Sequence, residues 1–159
     1  MTRQTRQVAV DLDVLKKYSR PGPRYTSYPT APHFHTGFTA DTFQQEILAA
    51  NQRETPGDLS LYLHFPFCRT LCYFCACNVL ITHRPERIRR YLDYIKREID
   101  LVSPMMHPDR RVVQMHWGGG TPNYLTAAQI TEVFDHLKSR FQFADQAEIS
   151  IEIESADIP

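Results

Sequence analysis

Apolar positions change their period several times along this chain. Phe43, Ile47 and Ala50 recur at helical spacing and predict a short helix over 40–52. LYLHF (61–65), RVVQMHW (111–117) and AEISIEIE (147–154) alternate apolar and polar residues, the two-residue period of a β-strand. Between the first two strands, 85–103 returns to the helical period. Ile88, Tyr91, Leu92, Ile95, Ile99 and Val102 form its stripe, with Glu86/Arg90 and Asp93/Arg97 as i,i+4 pairs on the other face. A last helix opens at Thr126, three residues ahead of Gln129 as in a capping box, with Leu125 and Ile130 placed as a hydrophobic staple. Its stripe is Ile130, Val133, Phe134, Leu137 and Phe141.

Strands separated by helices of this length predict parallel βαβ units. Tyr62 and His64, Gln114 and His116, and Glu148, Ser150, Glu152 and Glu154 share one face of the strands. Leu61, Leu63 and Phe65, then Val113, Met115 and Trp117, then Ile149, Ile151 and Ile153 share the other. A parallel sheet covered by helices on both sides is apolar on both. One polar face predicts helices outside and a ligand-holding lumen inside, with functional groups at the C-terminal ends of the strands. An α/β barrel takes roughly 250 residues, and this chain stops at Pro159, just after its third strand. The expectation is the front part of a longer barrel with an open parallel edge. Residues 1–35 carry Pro21, Pro23, Pro29 and Pro32 among tyrosines and histidines, and read as an ordered arm that is neither helix nor strand. The organisation expected is therefore an arm and short helix over 1–55 and an α/β core over 56–159.

Composition narrows the class. Lysine plus arginine and aspartate plus glutamate both total 18, so the chain lacks the basic excess of a nucleic-acid binder. The N-terminal stretch breaks each apolar run with a charge and offers neither signal peptide nor membrane span, which predicts a cytoplasmic protein. In a reducing compartment, clustered thiols bind metal more often than they pair.

All four cysteines, Cys68, Cys72, Cys75 and Cys77, fall within FCRTLCYFCACN on the loop leaving the first strand. The first three have C-x3-C-x2-C spacing and can hold three corners of a cubane [4Fe–4S] cluster, leaving the fourth iron open to a small molecule. Cys77 can in principle fill that corner, but two residues from Cys75 it is awkwardly placed. A zinc site built from all four thiolates is the other reading. Such sites usually join two well-separated ligand pairs, and the sequence has no second pair.

C-x3-C-x2-C after a first strand resembles the signature of radical S-adenosylmethionine (SAM) enzymes. YSRPGPRYTSYPTAPHF, LYLHFPFCRTLCYFCACN, MHWGGGTPNYL and FQFADQAEISIEIE together resemble their oxygen-independent coproporphyrinogen III oxidase family over nearly the whole chain. The resemblance implies the N-terminal half of a partial TIM-like (β/α)6 barrel preceded by a proline-rich arm. It implies a cluster held by Cys68, Cys72 and Cys75, with Cys77 nearby as a non-ligand. A first SAM would be bound by Tyr62, Gly119 and Glu152, and a second by Phe74, Gly120 and Thr121. The reaction implied is decarboxylation of coproporphyrinogen III propionates to vinyl groups, fed by a one-electron donor such as flavodoxin and carried out by a monomer. The isolated chain is expected to lack turnover. Related haem chaperones share the first three cysteines and GGGTP but generally lack the fourth cysteine and the YTSYPTA arm, both present here.

The residues bear on these implications individually. Tyr62 and Glu152 fall on the polar face, and the glycines between strand and helix bring backbone N–H groups within reach of a carboxylate. Phe74 alone reads as core packing. His64 is the catalytic candidate, although His64 and His116 are each commoner as hydrogen-bonded structural histidines. Arg20 and Arg24 in the arm are candidates for pairing with substrate propionates. Ser155 and Ala156 stand where this family usually has an acidic residue and a proline after the third strand.

Overall fold

The computed structural model describes residues 11–19, 33–53, 56–72, 75 and 77–154. The chain divides into two units, Met1–Phe38 and Thr39–Pro159. The first contains α1 (Leu12–Tyr18), a helix that the proline-rich reading of 1–35 did not anticipate. Its prolines all lie beyond it, and Asp11 caps it by accepting from the backbone N–H groups of Asp13 and Val14 at 2.9 and 3.2 Å. The proline-rich stretch itself, with Arg20 and Arg24, lies outside the described residues, as do Phe74, Ser155 and Ala156.

The second unit runs α2 (Ala40–Asn51), β1 (Leu59–Phe65), β2 (Phe67–Cys68), β3 (Leu80–Ile81), α3 (Pro85–Val102), β4 (Arg111–Gly119), α4 (Ala127–Arg140) and β5 (Gln142–Ile151). β1, β4 and β5 form a parallel sheet in that order. α2 buries Ile47, while Phe43 on the same expected stripe stays exposed. Its last residue, Asn51, donates to the carbonyl of Met105 and accepts from the N–H of His107, fastening the helix end to the turn before β4.

Leu63, Phe65, Met115 and Trp117 point from the sheet into a core completed by Ile88, Leu92 and Ile99 of α3 and Val133 and Leu137 of α4. Phe65 stacks on Trp117 with ring centroids 5.0 Å apart, and Tyr91 meets Phe67 edge-on at 5.2 Å. Thr126 and Gln129 form the expected capping box, with Leu125 buried beside them.

Three expectations need correction. Val112, not Val113, faces the core: the pairing of β4 with both neighbours skips Val113, a bulge that turns Val112 inward and leaves Val113 exposed. β5 starts at Gln142 rather than 147, because Gln142 and Phe143 pair with Arg111 and Val112 before an irregular stretch ahead of Glu148. The ion pairs of α3 also differ. Asp93 pairs with Arg89 and Lys96, while Arg90 and Arg97 lie against the Tyr94 ring. Arg89 and Lys96 both bind Glu132 of α4, Arg89 with two nitrogens at 2.6 and 3.0 Å. These bonds hold the Glu132 carboxyl at about 2 and push the Arg89 guanidinium above its usual range. Among the described residues no helix is long and apolar enough to cross a membrane.

Candidate functional site

β1 ends at Phe65, and the next three residues are stitched on both sides. On one side, the carbonyls of Phe65 and Phe67 accept from the N–H groups of Gly120 and Thr121 at 2.8 and 2.9 Å. On the other, the carbonyls of Pro66 and Cys68 accept from Leu80 and Thr82 at 2.6 and 3.2 Å, extending the parallel β2–β3 pair. The described residues between these stitches, 69–72, 75 and 77–79, carry neither helix nor strand and join the two halves of this clasp as a loop. Tyr124 closes it from the far side, its hydroxyl donating to the Thr82 carbonyl at 2.9 Å and its ring lying under Arg69.

Cys68 sits in the clasp and is buried; Cys72, Cys75 and Cys77 are carried on the loop and exposed, and all four are free thiols. Cys68 Sγ accepts from the hydroxyl of buried Thr121 at 3.3 Å. The Cys75 N–H donates to the Cys72 carbonyl at 3.1 Å. Partial desolvation, then the neighbouring Cys75 sulfur, pushes the Cys77 thiol up. The four cysteines line one cavity of about 210 Å³ together with Gly119, Gly120, Thr121 and Glu152.

The glycines of GGGTP each leave room for a specific neighbour. A Cβ on Gly118 would come within 2.9 Å of the Tyr62 ring and 3.1 Å of the Glu152 carboxylate. Gly119 has φ +118, and its Cβ would sit 2.9 Å from the His64 ring and the Phe65 nitrogen. On Gly120 the clash would be with Cys68 Sγ and the Pro66 carbonyl, each at 2.8 Å. The N–H groups of Gly119 and Gly120 are already engaged within the chain. Gly119 donates to the Glu152 carboxylate at 3.1 Å, while Gly120 and Thr121 serve the clasp.

Tyr62, His116 and Ser150 stand in one row across the three strands. The Tyr62 ring stacks on His116 at 5.9 Å, and its hydroxyl meets His64 Nδ1 at 3.1 Å. His64 Nε2 donates to the Asn78 carbonyl at 2.9 Å, which ties the polar face to the returning end of the loop. His116 bridges Ser150 at 2.7 Å and the Glu152 carboxylate at 3.3 Å. Desolvation, then the negative charge of Glu152, raises the Tyr62 phenol. Beyond β5, Glu152 N–H donates to the Trp117 carbonyl. Asn123 then prolongs the β4–β5 pairing past the end of β4: its side chain donates to the Glu154 carbonyl at 3.0 Å and accepts from the Glu154 N–H at 2.9 Å.

The structure thus brings Cys68, Cys72, Cys75, Gly119, Gly120, Thr121 and Glu152 around one cavity, with Tyr62 and His64 beside Gly118 and Gly119. Phe74 lies outside the described residues. Sequence reasoning missed Gly118, whose signal was present in the glycine run. It also missed Asn123, for which no periodic signal exists because a side chain imitates a backbone. Four thiols on one cavity, beside a glycine run whose missing Cβ atoms let Cys68 and Glu152 pack close, fit a thiolate-held iron–sulfur cluster. Among the described residues no three Cys, His, Asp or Glu side chains converge at metal-binding distance, so the fit is one of donor chemistry and shared cavity.

No family model matches the chain. It is similar to the oxygen-independent coproporphyrinogen III oxidase of Salmonella typhimurium, 46% identical over 152 residues that cover 96% of this chain and 32% of that protein. The Escherichia coli protein of the same name gives the same identity and coverage. A Mannheimia haemolytica protein of that name is 45% identical over 148 residues, covering 93% of this chain and 98% of its own. Among solved structures, coproporphyrinogen III oxidase (HemN) from Escherichia coli, described as a radical SAM enzyme, superposes with a TM-score of 0.75 at 42% identity. That match covers 97% of this chain and 33% of that one. The chain spans about a third of the length of the Salmonella and Escherichia relatives.

Proposed function

Since the chain belongs to the oxygen-independent coproporphyrinogen III oxidase family, we propose that it supplies the cluster- and SAM-binding part of an enzyme that converts two propionates of coproporphyrinogen III to vinyl groups with loss of CO2. Its parallel sheet is then the first half of a (β/α)6 partial barrel, with the proline-rich arm preceding it. The observation that carries this reading is the convergence of all four cysteines, the glycine loop and Glu152 on one cavity at the C-terminal ends of β1 and β4.

In this reading Cys68, Cys72 and Cys75 hold a [4Fe–4S] cluster and Cys77 stands by as a non-ligand. When bound, the cluster and SAM supply one-electron chemistry that removes a hydrogen atom from each propionate. The chain's own residues position and shield. Tyr62 and Glu152 present a hydroxyl and a carboxylate to the first SAM beside Gly119, with His116 and Ser150 fixing the carboxylate. Gly120, Thr121 and Phe74 border a second SAM. His64, held between the Tyr62 hydroxyl and the Asn78 carbonyl, is the catalytic candidate. Arg20 and Arg24 would meet propionates. A cytoplasmic monomer drawing electrons from a carrier such as flavodoxin completes the proposal.

Anaerobic reconstitution of the 159-residue chain with iron and sulfide tests the site. The expected result is a brown protein whose reduced EPR signal changes when SAM is added. A colourless protein that retains zinc, or a cluster signal indifferent to SAM, would overturn the reading.

A further inference from the structure

The four sulfurs are not equivalent. Cys68 keeps 8% of its surface, whereas Cys72, Cys75 and Cys77 are exposed. Cys68 also sits in the hydrogen-bonded clasp, with its carbonyl on Thr82 and its strand paired to Ile81. Its sulfur is wedged against Gly120, where a Cβ would come within 2.8 Å. Its hydrogen-bond donor is equally fixed. Thr121 is one of two buried polar side chains among the described residues, at 7% exposure. Its N–H is committed to the Phe67 carbonyl and its hydroxyl to Cys68 Sγ.

Resting on the reading of Cys68 as a cluster ligand, we propose that Thr121 is a positioning residue whose hydroxyl donates to Cys68 Sγ and raises the reduction potential of the bound cluster. A ligating thiolate has no proton to give, so in the loaded protein the hydroxyl is the donor and the sulfur the acceptor. The bond withdraws charge from sulfur and favours the reduced, more negative cluster over the oxidised one. Burial strengthens it, because little water competes at Cys68. Cys72 and Cys75 are exposed, so a hydrogen bond to either sulfur lacks that shielding. One ligand of three is thus set by the protein, and the residue setting it lies on the loop after β4 that borders the SAM cavity.

The test separates the donor from mere packing. Thr121→Val keeps shape and removes the donor; Thr121→Ser keeps the donor and removes a methyl group. Each variant and the parent chain are reconstituted anaerobically, assayed for iron and sulfide, and titrated by EPR against a mediator series. T121V is expected to lower the reduced-to-oxidised ratio at fixed poise by up to about tenfold, which for a one-electron couple is 59 mV. T121S should stay close to the parent. Equal midpoints in parent and T121V, with both holding a cluster, would overturn the role of Thr121 and leave the cluster reading standing. A parent chain that takes up no cluster overturns both. If circular dichroism shows T121V unfolded, T121A is titrated in its place with the same two outcomes.

Discussion

On one face of the β1–β4–β5 sheet, Met115 and Val112 lose all contact with solvent and Trp117 keeps 2% of its surface. On the other, Tyr62 keeps 59% and the His116 side chain 36%. The two faces belong to the same strands and alternate residue by residue, yet different forces order them. The helix-covered face is held by removing apolar area from water, an undirected force that tolerates some reshaping. The polar face has little area to bury, so its order comes from directed contacts: Tyr62 to His64, His116 to Ser150 and Glu152, and Glu152 to Gly119. A side chain fixed by hydrogen bonds while still facing solvent is available to a ligand; one fixed by burial is not. The contrast predicts that damage to the first face appears as lost stability and damage to the second as lost binding.

The largest expected effect is on the buried side. Met115→Ala should cost about 2–5 kcal/mol in urea unfolding, while Tyr62→Phe should cost under about 1 kcal/mol, the net worth of one hydrogen bond. Comparable losses would erase the distinction between the faces. Next comes the seam between them. Gly119→Ala forces a Cβ onto φ +118 against His64 and the Phe65 nitrogen and should cost about 1–3 kcal/mol, with SAM binding by calorimetry falling together with stability. Asn123→Ala isolates the polar side. Removing the surrogate strand partner of Glu154 should cost only about 1 kcal/mol yet weaken SAM affinity several-fold by loosening Glu152. An unchanged affinity would show that Glu152 needs no such support.

A smaller effect comes from the helix layer. The Glu132 carboxyl, held at about 2 by Arg89 and then Lys96, stabilises the fold fully above the ordinary carboxylate range and progressively less as the pH falls from about 4.5 toward 2. Its side chain keeps 35% of its surface, so Glu132→Gln should cost no more than about 1 kcal/mol at neutral pH. The difference from the parent should vanish near pH 2, as acid-unfolding midpoints would show.

Periodicity served the helix-covered face of β1 and β4 well, because burial is what writes periodicity into a sequence, whereas Ile149 and Ile151 of β5, read on the same face, stay exposed. Leu63, Met115, Leu92, Val133 and Leu137 all fall on the stripes read from the chain. It failed at Val113, where a single bulged residue exchanges inside for outside without altering composition. It also could not choose among the many charges of α3. The partner of Arg89 and Lys96 lies on α4, and spacing within one helix carries no information about another. At the site, residue types were legible and their contacts were not. Cys68 and Thr121 are 53 positions apart, and only the stitching of 65–68 to both the glycine loop and residues 80–82 makes them neighbours.

That stitching bears on the order in which the molecule is put together. The β2–β3 clasp completes its hydrogen bonds with main chain alone, so none of them depends on a sulfur of the loop. If a cluster is loaded as proposed, it joins a frame that is already hydrogen-bonded without it, and amide exchange of β1 and β4 should be the same in iron-free and iron-loaded protein, with protection gained only between residues 69 and 79.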